Sequence, residues 1–150
     1  MSRIRIDLPH PLPWTTELQV RIGDINYGGH LGNDAVLALI HEARVRFLQT
    51  LGFSERDVAG AGIIMVDAAI QYRSEAFQGE SLTIGVGIAS LQTTGCDLVY
   101  RLDCSGREVA RAKTGLAFFD YATRRPVRVP EPFAIAAQRK MVSPCTVTVS

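Results

Sequence analysis

The chain has 150 residues, 47% of them hydrophobic and 21% charged, which is the composition of one globular domain and excludes a disordered chain. A chain of this length buries about two thirds of the surface its unfolded form exposes, so it needs no disulfide or metal to hold a core. The 16 Lys and Arg nearly balance the 15 Asp and Glu, leaving a net charge of +1 without the basic excess expected of a nucleic-acid partner.

Residues 1–14 carry Pro9, Pro11 and Pro13 and predict an extended lead-in, too charged and proline-broken for a signal peptide. Thr15 to Ile22 alternates as a strand does. Gly23 to Asn33 (GDINYGGHLGN) is rich in glycine, asparagine and aspartate and predicts a loop. A helix follows over 34–51, with Asn33 or Asp34 as the cap of its first turn and Gly52 as its stop. Its stretch Ala35 to Ile40 (AVLALI) is apolar on every side, which predicts burial on every face. Further along, Ala43, Phe47 and Leu48 should point inward and Arg44 and Arg46 outward. A short helix-like piece is expected near Ser54 to Ala59. Four strands are predicted next, over 63–73, 82–91, 96–104 and 108–121, the last three antiparallel because their connections have hairpin length. The tail from Thr123 is proline-rich, with room for a helix around Phe133 to Lys140. One helix after the first strand and a run of strands behind it form an α+β layout, a helix packed in a sheet, spanning 1–150 as a single domain.

Cys96, Cys104 and Cys145 are odd in number and have neither CxxC nor zinc-site spacing, so they read as free thiols of a reducing compartment. No His, Asp or Glu set has metal-ligand spacing either, and no metal is expected. No apolar run approaches the ~18 residues of a membrane span. The expectation is a cytoplasmic protein that engages neither membrane nor nucleic acid.

The loop and helix together, VRIGDINYGGHLGNDAVLALIHEARVRFLQTLGF, resemble the hotdog-fold acyl-CoA thioesterases, in particular the 4-hydroxybenzoyl-CoA thioesterase type. Asp24 stands at the first acidic position of that family's motif, and Gly29, His30 and Leu31 match its Gly-His-Val. Asn33 matches the second Asn, and Glu42, Ala43 and Arg44 match Glu-Ala-Arg. Downstream, Tyr72 to Leu82 (YRSEAFQGESL) looks like the family's aromatic–x–x–Pro–Ala–x–x–Gly–Asp–x–Leu segment, and Phe119-Asp120-Tyr121 with Arg125-Pro126-Val127 looks like its last strand and exit. Three positions depart from the pattern. Asn26 stands where the family often has its catalytic aspartate, Gly32 replaces the first Asn of the pair, and the turn Leu91 to Gly95 lacks the basic residues that the 4-hydroxybenzoyl enzyme uses for the nucleotide.

The resemblance implies a hotdog fold, one long central helix wrapped by a curved antiparallel sheet, and hydrolysis of an acyl-CoA or acyl-carrier thioester. It implies no separate cofactor, since coenzyme A belongs to the substrate, and assembly as a homodimer or homotetramer with the active site between protomers. Such hydrolysis needs donors for a developing oxyanion, and unpaired N–H groups at a helix start supply them. Those near Gly32, Asn33 and Asp34 are the candidates, with Tyr27 and Gly29 beside them for substrate binding. Water must also be activated. Asn26 can orient a water but cannot deprotonate it. Glu42 follows Ala38 by four residues, hence lies near its face, where an apolar setting would raise its pKa toward that of a useful base. A second hotdog clade is similar in pairing a loop amide with a helix acid. Equally, Glu42 can simply pair with Arg46, Asp24 can fix the loop through nearby N–H groups, and His30 can hold the loop's shape. Asn26, Glu42, Asp24, His30 and Asn33 are therefore the catalytic candidates. Any of Arg73, Arg101, Arg124, Arg125 and Arg128 could meet a phosphate. Two other readings remain open. The (R)-specific enoyl-CoA hydratases carry a similar Gly-Asp-x-Asn loop with the histidine one residue earlier than His30, and a chain with Asn26 could be a non-catalytic acyl-CoA binder.

Overall fold

The structure, a computed structural model, describes residues 1–150. Its elements in chain order are β1 (Ile4–Asp7), β2 (Trp14–Gln19), α1 (Asn33–Thr50), β3 (Gly62–Tyr72), β4 (Ser81–Leu91), β5 (Gly95–Cys104), β6 (Arg107–Asp120), β7 (Arg125–Pro126), α2 (Glu131–Ala137) and β8 (Thr146–Val149). Five strands form an antiparallel sheet in the order β2-β4-β5-β6-β3, with β7 added to β6, and the sheet curls around α1 as in the hotdog fold. The four long strands lie within a residue or two of their expected bounds. Ser105 and Gly106 both take positive φ in the β5–β6 turn, the backbone twist a two-residue hairpin loop needs.

The core is where the helix meets the sheet. Val36, Leu39, Ile40, Ala43, Phe47 and Leu48 of α1 are buried against strand residues such as Ile84, Leu98, Leu102 and Phe118. One polar pair sits inside it, with the Tyr100 and Thr114 hydroxyls 2.8 Å apart. Phe133 of α2 packs in a tilted arrangement on Phe118 at 5.1 Å and Phe53 at 5.9 Å between ring centroids, so the proline-rich tail joins the core. The tail also covers the outer face of the sheet. The Val142 amide donates to the Ile88 carbonyl at 2.8 Å, and its side chain lies so close to Gly87 that a Cβ there would meet it at 2.8 Å.

Several local expectations are corrected. Gly32, not Asn33 or Asp34, is the N-cap of α1, and no side chain caps it. Gly52 does end the helix, at φ 87°. The apolar stretch Ala35 to Ile40 is not buried all round, since Ala38 is exposed and Leu37 only half-buried. Arg44, expected outside, is buried because Glu55 reaches in to pair with it, its Nε donating to Oε1 at 2.6 Å. Residues 54–59 form turns around that contact instead of a helix. The lead-in and the tail are also more ordered than expected. β1 pairs antiparallel with β8, and this ribbon is tied to the main sheet where the Ile6 amide donates to Gln71 Oε1 at 3.0 Å and Arg111 Nη1 donates to the Ile6 carbonyl at 2.9 Å. No helix is long and apolar enough to cross a membrane.

Candidate active site

The loop before α1 is built by its own short-range bonds. Asp24 is buried and accepts from the Arg21 amide at 2.8 Å and from its guanidinium at 3.1 Å, while its carbonyl accepts the Gly32 amide at 2.9 Å. Burial would raise the Asp24 carboxyl pKa, but the bonds and charge of Arg21 outweigh it and hold the group below the ordinary carboxylate range. Asp24 is thus a loop-fixing residue with no free face. Asn26 closes the next turn. Its Oδ1 accepts from the amides of Gly28 at 2.9 Å and His30 at 3.4 Å, and its own amide donates to the His30 carbonyl at 2.9 Å. The Asn26 side-chain NH2 group makes no hydrogen bond within the chain.

This loop forms one wall of a cleft of about 510 Å³. Asn26, Tyr27, His30, Asn33 and Val36 line that wall, and Tyr72 to Ala76 with Val109 line the other. A backbone bond joins the two, the Leu31 amide donating to the Ala76 carbonyl at 2.8 Å, and the Tyr72 hydroxyl donates to the Asn33 carbonyl at 2.9 Å. Burial, then the nearby Asp34 carboxylate, raises the Tyr72 phenol pKa, so it remains a donor. Helix α1 begins in the first of these walls. The first amide of α1 to find a partner is Val36, at 3.2 Å from the Gly32 carbonyl, which leaves the N–H groups of Asn33, Asp34 and Ala35 unpaired. Gly32 is removed from the oxyanion candidates, because its amide is spent on Asp24.

The sequence candidates therefore divide. Asn26, Tyr27, His30 and Asn33 meet in this cleft, with Gly29 turning the loop beside them at φ 84°. Asp34 borders it, its carboxylate folded toward Gly32. Glu42 does not join them. It is exposed on the side of α1 that Ala38 leaves open, where Arg46 Nε donates to it at 3.0 Å, and the expected burial beside an apolar face is corrected. Reasoning from sequence missed Glu75, which faces His30 across the cleft with Oε1 3.6 Å from Nε2. Its signal was a glutamate at the position where the resembling motif carries proline. Of the arginines, Arg101 is engaged by Asp103 and Glu108, while Arg73 forms part of the cleft wall.

A second, more polar groove of about 780 Å³ opens beside the cleft and shares Tyr72 and Arg73 with it. Arg3, Arg5 and Arg111 line it, the first two brought there by the β1–β8 ribbon.

Residues 20–137 match the family model of the thioesterase-like superfamily. Among solved structures, a 1,4-dihydroxy-2-naphthoyl-CoA thioesterase from Synechocystis superposes with a TM-score of 0.76 at 23% identity, covering 83% of this chain and 94% of its own. The gentisyl-coenzyme A thioesterase BH1999 gives 0.73 at 20% identity over 83% and 99%. A Staphylococcus aureus protein, SAV2348, solved in complex with CoA, gives 0.77 at 19% identity over 84% and 82%. At these identities the likeness is one of fold. No curated protein sequence matches the chain significantly.

Proposed function

The chain belongs to the thioesterase-like superfamily and is a thioester hydrolase, and we propose that its substrate is an acyl-coenzyme A whose thioester lies in the cleft between residues 26–36 and 72–76. The observation that carries this reading is that Asn33, whose N–H at the start of α1 is unpaired, lines the same cleft as Asn26, whose side-chain NH2 is free. Donors of this kind, fixed before the substrate arrives, stabilise the oxyanion that forms when a thioester carbonyl is attacked. The helix dipole adds to them at the same end. Asn26 and His30 orient substrate or water, and Tyr27 and Val36 offer apolar surface to the acyl group.

The arginine-lined groove supports coenzyme A as the carrier, since a phosphorylated tail leaving the cleft past Tyr72 and Arg73 meets Arg3 and Arg5. The CoA-bound Staphylococcus aureus neighbour supports it too. A homodimer is part of the reading. β3 is an edge strand with Met65 and Val66 exposed, and Leu37 and Ala38 of α1 present apolar surface next to Met65.

The test is a panel of aromatic and aliphatic acyl-CoA thioesters, with release of free thiol followed by a chromogenic disulfide. Turnover of at least one is expected. A protein that binds a non-hydrolysable CoA thioether yet releases thiol from none of them would be a binder, and the reading would fail.

A further inference from the structure

We propose that Glu75, acting with His30, activates the attacking water; the inference rests on the reading that this cleft hydrolyses a thioester. Attack of water at neutral pH requires a group that accepts its proton, and the cleft holds few. Asn26 has an amide. The Tyr72 hydroxyl is occupied as a donor to Asn33, and the Ser74 hydroxyl donates to the Glu108 carbonyl at 2.7 Å. Arg73 is a cation paired with Glu108. Glu75 is the one carboxylate lining the cleft, and His30 the one imidazole. Of the carboxylates outside the lining, Asp24 is committed to Arg21 and Glu42 to Arg46, and Asp34, at the border of the cleft, is folded toward Gly32.

Geometry favours the pair. His30 Nδ1 lies 3.3 Å from the Leu31 carbonyl, which can only accept, so Nδ1 carries the ring proton and Nε2 presents a lone pair toward Glu75. The 3.6 Å between Nε2 and Glu75 Oε1 is too long for a direct hydrogen bond, so the Glu75 carboxylate stays free to take a proton from a water in the cleft. The backbone beneath both side chains is fixed. The Asn26 side chain fixes the His30 amide, and on the opposite wall Arg107 Nε donates to the Glu75 carbonyl at 3.0 Å while the next residue, Ala76, accepts from Leu31. An amide at 26 and a carboxylate at 75 thus face the same space, so the acid has changed walls without leaving the cleft.

The step is balanced. The water oxygen bonds to the carbonyl carbon as its proton passes to Glu75, and the carbonyl electron pair moves onto the oxygen held at the start of α1. Collapse re-forms the C=O bond and breaks the C–S bond, and Glu75 returns the proton to the departing sulfur. One water is consumed, a carboxylic acid and the coenzyme thiol are released, and nothing is oxidised.

The experiment compares wild type, Glu75→Gln and Glu75→Gln/Asn26→Asp on the best thioester of the panel, with folding checked by circular dichroism and affinity by titration with the CoA thioether. Loss of a positioned base lowers kcat by ~100- to 10,000-fold. Glu75→Gln is expected to show that loss with thioether affinity unchanged. Asn26→Asp, which exchanges the free NH2 for an oxygen on the other wall, should restore part of it. Glu75→Ala should be rescued in part by added formate, and it serves as the second test if the Gln variant misfolds. Near-wild-type kcat in folded Glu75→Gln, or in Glu75→Ala without formate, overturns the assignment alone. A wild type that hydrolyses no thioester fails the functional reading, and the assignment falls with it.

Discussion

Gly29 turns the loop through φ 84°, a left-handed conformation that costs a residue with a Cβ about 1–2 kcal/mol. Gly29→Ala should lose that much stability in chemical denaturation. Gly32→Ala should lose less. Its backbone is ordinary, at φ −69° and ψ 149°, and the atom its Cβ would meet at 2.7 Å is the end of the flexible Asp34 side chain. A larger effect belongs to Glu55, which accepts from Arg44 at 2.6 Å and His41 at 2.9 Å while Arg44 Nη1 has no partner at all. Glu55→Gln weakens the counter-charge of a buried guanidinium and should cost about 2–3 kcal/mol, less than the ~3–5 of a fully buried pair because Glu55 keeps some exposure. Burial would raise the Glu55 pKa, but the bonds from Arg44 and His41 outweigh it and lower it. An acid whose pKa falls on folding stabilises the fold above its unfolded value and loses that contribution as pH drops toward the folded one. Urea stability should therefore decline below about pH 4.3, and Glu55→Gln should flatten part of the decline. At this scale the site was half legible. Asn26, Tyr27, His30 and Asn33 lie in one short run of sequence, so a loop before a helix brings them together by local geometry. Glu75 reaches His30 only through the bond between Leu31 and Ala76, a pairing that no local pattern encodes.

The strands and α1 were legible as elements because alternation and glycine punctuation act over a few residues. Which sides of α1 are covered was not, since that depends on where the sheet stops. The sheet stops short of Ala38, so Glu42, one turn on, is solvated and pairs with Arg46. Glu42→Gln should accordingly reduce kcat far less than Glu75→Gln. The β1–β8 ribbon was invisible for a related reason, its strands coming from opposite ends of the chain. An isolated two-stranded ribbon is marginal in water, and this one relies on Gln71 and Arg111 for its anchorage. Its contribution to the neighbouring groove can be separated from the chemistry. An Arg3→Ser/Arg5→Ser variant should raise KM several-fold for acyl-CoA with little change in kcat, and it should not affect a substrate cut down to the acylated thiol arm, because uniform binding is what those side chains would supply. An equal KM for both substrates in wild type and variant would remove the groove from the binding path.

For the molecule as a whole, the β3 edge sets the expected assembly. Val66 is 60% exposed on an edge strand with no further strand of the main sheet beyond it, a surface that native proteins normally cover or charge. Light scattering should give at least a dimer, and Val66→Lys should shift it toward monomer. A wild-type monomer at micromolar concentration would contradict the interface. The Leu31–Ala76 bond has a different consequence, in the order of folding. The β4–β5–β6 hairpins join neighbours in sequence and can form early, whereas closing the loop onto residue 76 must await a contact distant along the chain, which is slow because its entropy is lost before the contact repays it. In a refolding experiment the far-UV signal of the sheet should thus recover ahead of thiol-releasing activity, and the lag between them measures the time the two walls of the cleft take to find each other.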